Sequence, residues 1–129
     1  MADIEQARRV VELMFLTAWA DGRFEGSEAL AIHKLAASVP HLRGVGATNE
    51  IDLNAKRNLR AKGLEAAVRE VAAGIHDAIH RELAFQACAK VSGADGSFNP
   101  EEAQVLTLLR SLWQLTPADV ERLLVLASR

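Results

Sequence analysis

Apolar residues recur at intervals of three and four along most of the chain, the spacing of one face of an α-helix. The first such segment follows Asp3, a helix-capping residue, and runs to Gly22. Its second half, Leu13 to Ala20, is apolar on nearly all sides, and a helix of that kind packs against several neighbours. The sequence therefore predicts a central first helix. Its apolar positions are Ile4, Ala7, Val10, Val11, Met14, Ala18 and Trp19.

Three further helices are predicted between the first helix and residue 76. The second must end before Pro40, because a residue that precedes proline disfavours helical geometry. Val39 to Thr48 is then predicted to be a surface loop, and Asn49 to cap a third helix that ends at Gly63. Gly74 interrupts the fourth. The apolar positions of these helices are Ala29, Ile32, Leu35 and Ala36; Ile51, Ala55 and Leu59; and Leu64, Ala67, Val68, Val71 and Ile75.

The C-terminal half contains three helix starts. Asp77 is expected to cap a fifth helix, Ala78 to about Ser92, which is again apolar on most sides. The segments 99–102 (Asn-Pro-Glu-Glu) and 116–119 (Thr-Pro-Ala-Asp) each combine a capping residue, a proline at the first helical position and an acidic residue two positions later. The apolar positions that follow are Val105, Leu106, Leu109, Leu112 and Trp113, and then Val120, Leu123, Leu124 and Ala127. About seven helices and no substantial sheet are predicted.

Two stretches, 20–29 and 94–103, share the motif Ala-Asp-Gly-x-Phe-x-x-x-Glu-Ala. A shift of 74 positions makes seven of the sixteen residues from Ala20 to Leu35 identical to their counterparts. Each copy joins a strongly apolar segment to a second helix, so each forms the corner of a helical hairpin. The sequence therefore predicts an all-α, compact bundle with an internal duplication, as a single domain over residues 1–129.

Composition narrows the class of protein. Half of the 129 residues are apolar but only 5% are aromatic, which favours close-packed helices. Fifteen Lys and Arg against seventeen Asp and Glu leave a formal charge of −2 with no long block of one sign, which argues against nucleic acid as a partner. The apolar runs are shorter than the ~20 residues of a membrane span, and the first residues lack the order of a signal peptide. We expect a cytoplasmic protein without direct membrane insertion.

The two corners carry residues suited to a metal ion. A helix C-terminus presents carbonyl oxygens with partial negative charge, yet Asp21 and Asp95 follow such ends directly. Seven residues later, Glu28 and Glu102 lie in the first turn of the next helix. Carboxylate and carbonyl oxygens are hard ligands that favour calcium or magnesium over zinc. The predicted metal ligands are Asp21, Glu28, Asp95 and Glu102, which would share one ion if the corners meet.

Each corner matches only the second half of a calcium-binding EF-hand loop. The first and third ligand positions would be Thr17 and Trp19 in one copy and Val91 and Gly93 in the other. A single corner would therefore bind an ion weakly. A structural alternative stays open, in which Asp-Gly forms the turn, Phe24 and Phe98 fill the hairpin, and the glutamates close capping boxes.

The corner motifs resemble the TerB family, named for tellurite resistance, whose relatives include the N-terminal domain of membrane-linked DnaJ-like co-chaperones. The resemblance rests on residues 18–28, 93–102 and 112–116 (Leu-Trp-Gln-Leu-Thr) and spans about residues 8 to 126. It implies an all-helical domain with acidic clusters proposed to bind divalent metal, and no catalytic residue. It also implies a role in tellurite and other chemical stress, with protein partners in the cytoplasm or at the cytoplasmic face of the membrane. Trp19, Gly93 and the scarcity of acidic residues between Val39 and Thr48 depart from the family pattern.

Other chemistry-bearing residues give weaker signals. His76 and His80 have the four-residue spacing of a zinc pair, but the expected cap at Asp77 separates them, so a solvated face is predicted. His33 and His41 have no partner at ligand spacing and are expected at the surface. Cys88 is expected to be a buried, unreactive thiol in a reducing compartment.

Four basic residues lie within seven positions of the third helix, and a solvated face spread around that helix is predicted for them. They are Lys56, Arg57, Arg60 and Lys62, with Asp52 as an ion-pair partner of Lys56. Two classes of function remain: a non-enzymatic, metal-binding stress-response protein, and a metal-independent, co-chaperone-like protein–protein interaction module that docks through a helix face or the 39–48 loop. The sequence does not indicate an oligomeric state.

Overall fold

The computed structural model describes residues 4–20, 26–46, 48–92 and 100–128, and the side chains of residues 26–29 and 43 lie outside that description. Over these ranges the chain forms seven α-helices and a short 3₁₀ helix, Pro40–Val45, and no strand. The all-α bundle predicted from the sequence is confirmed. The α-helices are α1 (Ile4–Ala18), α2 (Gly26–Ser38), α3 (Thr48–Lys62), α4 (Leu64–Ala72), α5 (Ala78–Ser92), α6 (Pro100–Leu112) and α7 (Pro117–Ala127).

Helices α1 and α5 form the centre of the bundle and run parallel to each other. Near their first turns, the Gln6 side-chain oxygen accepts hydrogen bonds from the backbone N–H groups of His76 and Asp77, at 2.7 and 3.2 Å. Near their last turns, the side chains of Thr17 and Cys88 lie against each other. Gln6 to Thr17 and Asp77 to Cys88 are the same number of residues apart, so the two helices are aligned in direction. Their C-termini consequently lie at the same end of the bundle.

The core surrounds these two helices. Every residue of α1 from Leu13 to Ala18 is at most 1% exposed, as predicted for a helix that is apolar on all sides. Among the described residues, Phe15 and Phe85 are the largest fully or almost fully buried side chains, at 1% and 2% exposed. Helix α1 also packs against α2, α3, α4 and α6, and α5 packs against α6 and α7. The other helices therefore form a layer around one central pair.

The prediction of a surface loop from Val39 to Thr48 is wrong. Pro40–Val45 is a 3₁₀ helix, and α3 begins at Thr48. Residues three apart are eclipsed on a 3₁₀ helix, so Leu42 and Val45 share one face. Both are buried, at 1% and 6% exposed, and the 3₁₀ helix packs against α1 and α2. Burial of these two apolar residues thus stabilises a helical turn where the proline and glycines had indicated a loop.

Most predicted helix ends are confirmed. Gly63, with φ of +85°, separates α3 from α4, a backbone conformation in which glycine is favoured. The Thr116 hydroxyl accepts from the Asp119 backbone N–H at 3.1 Å, and the Asp119 carboxylate accepts from the Thr116 N–H at 3.2 Å. This reciprocal pair is a capping box, as the sequence predicted. Asn49 was expected to cap α3 but lies inside that helix.

Helix α7 is less buried than its apolar pattern predicted. Leu123 is 1% exposed, but Leu124 is 41% exposed and Val125 is 49% exposed. Helix α7 lies at the edge of the bundle and packs against α5, so only a narrow stripe of it reaches the core. The prediction that Leu124 belongs to the buried face is wrong.

We expect Phe85→Ala to destabilise the protein by about 3–5 kcal/mol, because the substitution removes a buried aromatic ring beside α1 and leaves a cavity. The measurement is the free energy of unfolding from urea denaturation. Leu53→Ala is the matched control: Leu53 is 56% exposed on α3, so its truncation should change stability by no more than about 0.5 kcal/mol. Equal effects of the two substitutions would contradict a core centred on α1 and α5.

Candidate functional site

The structure describes one of the four predicted metal-ligand side chains. Asp21 and Asp95 lie outside the described residues, and Glu28 lies in α2 with its side chain outside the description. Glu102 is the third residue of α6 and is 1% exposed. A carboxylate at that depth needs hydrogen-bond donors, a proton or a cation to offset the loss of solvation. The first turn of a helix supplies part of that compensation through its dipole.

The parallel arrangement of α1 and α5 determines where the two corners leave the core. The corner motifs follow the last residues of these helices, Ala18 and Ser92, which lie at the same end of the central pair. Two helix C-termini side by side place two sets of partly negative carbonyl oxygens together. Helix α1 has no basic residue in its last turn, and α5 has Lys90 there. The chemistry of this end, carbonyl oxygens plus a buried carboxylate, fits a hard divalent cation.

Within the described ranges, no group of three or more His, Cys, Asp or Glu side chains is arranged to hold a metal ion. The side chains of Asp21, Glu28 and Asp95 lie outside those ranges. The four-carboxylate site therefore stays a prediction.

Trp19 is anchored beside the first corner by helix α3. Its indole N–H donates to the Asp52 carboxylate at 2.8 Å, and the Lys56 ammonium lies 4.3 Å from the ring centroid. Lys56 and Asp52 are also 3.5 Å apart, which confirms the predicted ion pair. A cation over the face of an indole ring is attracted by the ring quadrupole. These contacts fix the end of α1 two residues before Asp21.

The histidines are arranged differently from the prediction. His76 is exposed, as expected, but His80 is 7% exposed, so the predicted solvated face is wrong for His80. Asp77 caps α5 by accepting from the His80 backbone N–H at 2.8 Å, and its carboxylate is also 2.8 Å from His80 Nδ1. The exposed ring of His41, in the 3₁₀ helix, lies edge-on to His80 with 5.8 Å between centroids. His33 is exposed, as predicted, with Nδ1 3.1 Å from the Thr48 hydroxyl.

Cys88 is buried and chemically protected, as predicted. It is 0% exposed, and burial raises the pKa of its thiol to about 12. The neutral thiol is a poor nucleophile at physiological pH, since the thiolate is the reactive form. Cys88 is therefore a packing residue of α5.

A polar hollow of about 310 Å³ lies between α1, α3 and α4. Glu12 is partly buried in it, and burial raises the pKa of its carboxyl despite a hydrogen bond at 3.2 Å from the Asn58 amide. The charged groups around it are paired, as Arg9 with Glu5, Arg8 with Glu50, and Lys62 with Glu70. The hollow is therefore a polar region between helices in which the charged side chains form ion pairs. The sequence pattern did not predict it.

Two surface regions carry features that could bind a partner. Lys56, Arg57 and Arg60 border one shallow hollow around the exposed Leu53, rather than spreading around α3 as predicted. A second hollow, of about 430 Å³, lies along α7 with Arg110 of α6 at its border, and it has a mostly apolar lining. Its lining residues are Arg110, Pro117, Val120, Glu121, Leu124, Val125 and Ser128. We call it the α6–α7 groove; its sequence signal was Val120 together with the continuous apolar run from Leu123 to Ala127.

Comparison of the chain with protein-family models, with curated proteins and with solved structures finds no match. Among the described helices, none has the length and apolar character needed to cross a membrane.

We expect Asp77→Ala to destabilise the protein by about 0.5–2 kcal/mol near neutral pH, because α5 loses its N-cap. The backbone N–H and then the side chain of His80 lower the pKa of the Asp77 carboxyl below its ordinary value of 3.8. The ionised Asp77 carboxylate therefore contributes fully to stability above pH 3.8, its ordinary pKa. This contribution is lost as the pH falls through the lowered pKa of the folded protein. Urea denaturation at several pH values should show wild type and Asp77→Ala converging in acid. Asp77→Asn, which keeps a capping side chain, is the control; a constant gap at all pH values would contradict the assignment.

Proposed function

We propose that this protein is a non-enzymatic, TerB-like stress-response protein that binds a divalent metal ion between its two hairpin corners. The proposed ligands are Asp21, Glu28, Asp95 and Glu102, with backbone carbonyls completing the coordination. The observation that supports the proposal most is the parallel packing of α1 and α5, from Gln6 with His76 and Asp77 to Thr17 with Cys88. Corners attached to opposite ends of the central pair could not share an ion.

Negative charge at the C-terminal ends of α1 and α5 also supports the proposal. The helix dipoles of α1 and α5 add there because the helices are parallel, and Glu102 brings a carboxylate that is 1% exposed. Asp21 and Asp95 follow these helix ends in the chain and add two further negative charges. Several carboxylates close together repel one another, and a divalent cation removes that repulsion. Oxygen ligands of this kind favour calcium or magnesium.

A second candidate function, a metal-independent interaction module, is supported by the α6–α7 groove. Its lining is mostly apolar, and Leu124 and Val125 are 41% and 49% exposed. An amphipathic segment of a partner protein, in the cytoplasm or peripheral to the membrane, would bury these side chains. The two candidates involve different surfaces and are separable by substitution.

Calorimetric titration with calcium, magnesium, manganese and zinc tests the metal proposal. We expect calcium or magnesium to bind, to raise the melting temperature and to change the fluorescence of Trp19, which precedes the first corner. Asp21→Asn/Asp95→Asn should weaken binding by at least about tenfold, since it removes two of four carboxylates. Glu121→Gln, an exposed carboxylate of α7, is the matched control and should bind normally. Absence of heat and of any melting shift with all four ions would refute the proposal.

Val125→Glu tests the interaction module. A charge in the α6–α7 groove should abolish association with a partner protein. The melting temperature should change little, because Val125 is exposed and substitutions at exposed sites have small effects on stability. The measurement is co-purification of identified partners, compared between wild type, Val125→Glu and Leu53→Glu, an exposed control on α3. Loss of association in Asp21→Asn/Asp95→Asn, with Val125→Glu unaffected, would instead assign the partner surface to the corners.

A further inference from the structure

The N-terminal end of the central helix pair holds two histidines from separate parts of the chain. His80 lies in the first turn of α5 and His41 in the 3₁₀ helix, and their ring centroids are 5.8 Å apart with the planes at 86°. His80 is 7% exposed and His41 is exposed, so the pair lies at the surface with one ring set into the protein. This pair is distinct from the carboxylate corners, which follow the opposite ends of α1 and α5.

The Asp77 carboxylate determines which nitrogen of His80 is available. Both carboxylate oxygens are 2.8 Å from His80 Nδ1. An ionised carboxylate only accepts hydrogen bonds, so Nδ1 carries the proton and donates it. In the neutral ring Nε2 then keeps its lone pair. A carboxylate that orients an imidazole in this way is the usual outer partner of a metal-binding histidine.

The orientation of Asp77 is itself fixed by the fold. The same carboxylate accepts from the His80 backbone N–H at 2.8 Å, which caps α5. The Asp77 backbone N–H donates to the Gln6 side chain at 3.2 Å, which ties the residue to α1. The His80 ring is therefore held by contacts from two helices before any ion binds, which lowers the entropic cost of forming a site.

The separation of the rings fits a shared ion. An ion at about 2.0–2.1 Å from one nitrogen of each imidazole lies roughly 3.2 Å from each ring centre, and a tetrahedral angle then separates the centres by about 5.2 Å. The observed 5.8 Å is about 0.6 Å longer, and the exposed His41 side chain can rotate to turn one of its nitrogens toward His80 Nε2. Nitrogen ligands of this type suit zinc and copper rather than calcium or magnesium.

We propose that His41 and His80 form a surface binding site for a divalent transition-metal ion of the zinc or copper class, with Asp77 as the residue that positions His80. The chain supplies two imidazole ligands, and water or an exogenous ligand fills the remaining positions.

The test uses the full chain without a histidine tag, titrated separately with Zn²⁺ and Cu²⁺ in the calorimeter. We expect one ion to bind, His41→Ala to weaken binding by at least about tenfold, and His80→Gln to do the same. Asp77→Asn keeps the helix cap but removes the charged partner of Nδ1, and should weaken binding about 10–100-fold. His41 is exposed, so His41→Ala should leave the melting temperature unchanged and remains informative even if His80→Gln unfolds the protein.

Matched controls separate this site from other binding. His33→Ala and His76→Ala remove exposed imidazoles outside the pair and should bind like wild type, as should Asp21→Asn/Asp95→Asn, which disables the corners. Electron paramagnetic resonance of the Cu²⁺ complex should show coupling to two imidazole nitrogens in wild type and to one in His41→Ala. Failure of both ions to bind, or equal losses in His41→Ala and His33→Ala, would overturn the proposal. Loss of Zn²⁺ and Cu²⁺ binding in the corner variant alone would transfer the site to the carboxylates.

Discussion

The packing of α1 against α5 in the same direction is the contact on which the rest of this structure depends. The second half of α1 and the second half of α5 are buried on nearly all sides, so each needs other helices to cover it. The pair is joined at one end by Gln6 and at the other by Thr17 and Cys88. The remaining helices and the 3₁₀ helix then cover the apolar faces that this pair would otherwise expose to solvent. Each covering helix needs only one apolar face, which is why α3 remains polar over much of its surface.

A parallel pair gives the two ends of the bundle opposite chemistry. At the C-terminal end of the pair, carbonyl oxygens of two helices lie together and the chain adds carboxylates, a setting for hard cations. At the N-terminal end, backbone N–H groups need acceptors, and Gln6 and Asp77 provide them. The acceptor at Asp77 also orients the His80 imidazole. Both proposed ion sites thus follow from helix polarity. The corner site uses the carbonyl oxygens at the helix C-termini, and the histidine site uses the capping Asp77 carboxylate, which accepts from both the backbone N–H and Nδ1 of His80.

Local patterns predicted well what local interactions decide. The helices, the capping box of α7, the cap at Asp77, the break at Gly63 and the ion pair of Asp52 with Lys56 all depend on residues within about four positions of one another. The buried thiol of Cys88 followed from its apolar neighbours. Errors arose where distant residues decide. Leu42 and Val45 are buried because α1 offers an apolar surface, and His80 is enclosed by contacts that spacing along the chain does not reveal.

The sequence by itself determined the number and type of the helices and most of their ends, because periodicity and capping are encoded within a few residues. Only the tertiary structure decided that α1 and α5 run parallel, that both corner segments start from the same end of that pair, and that His41 meets His80. These outcomes depend on which apolar helix faces pack against each other in the folded protein. That packing depends on complementary shapes of residues far apart in the sequence, so the spacing of residues within one helix does not predict it.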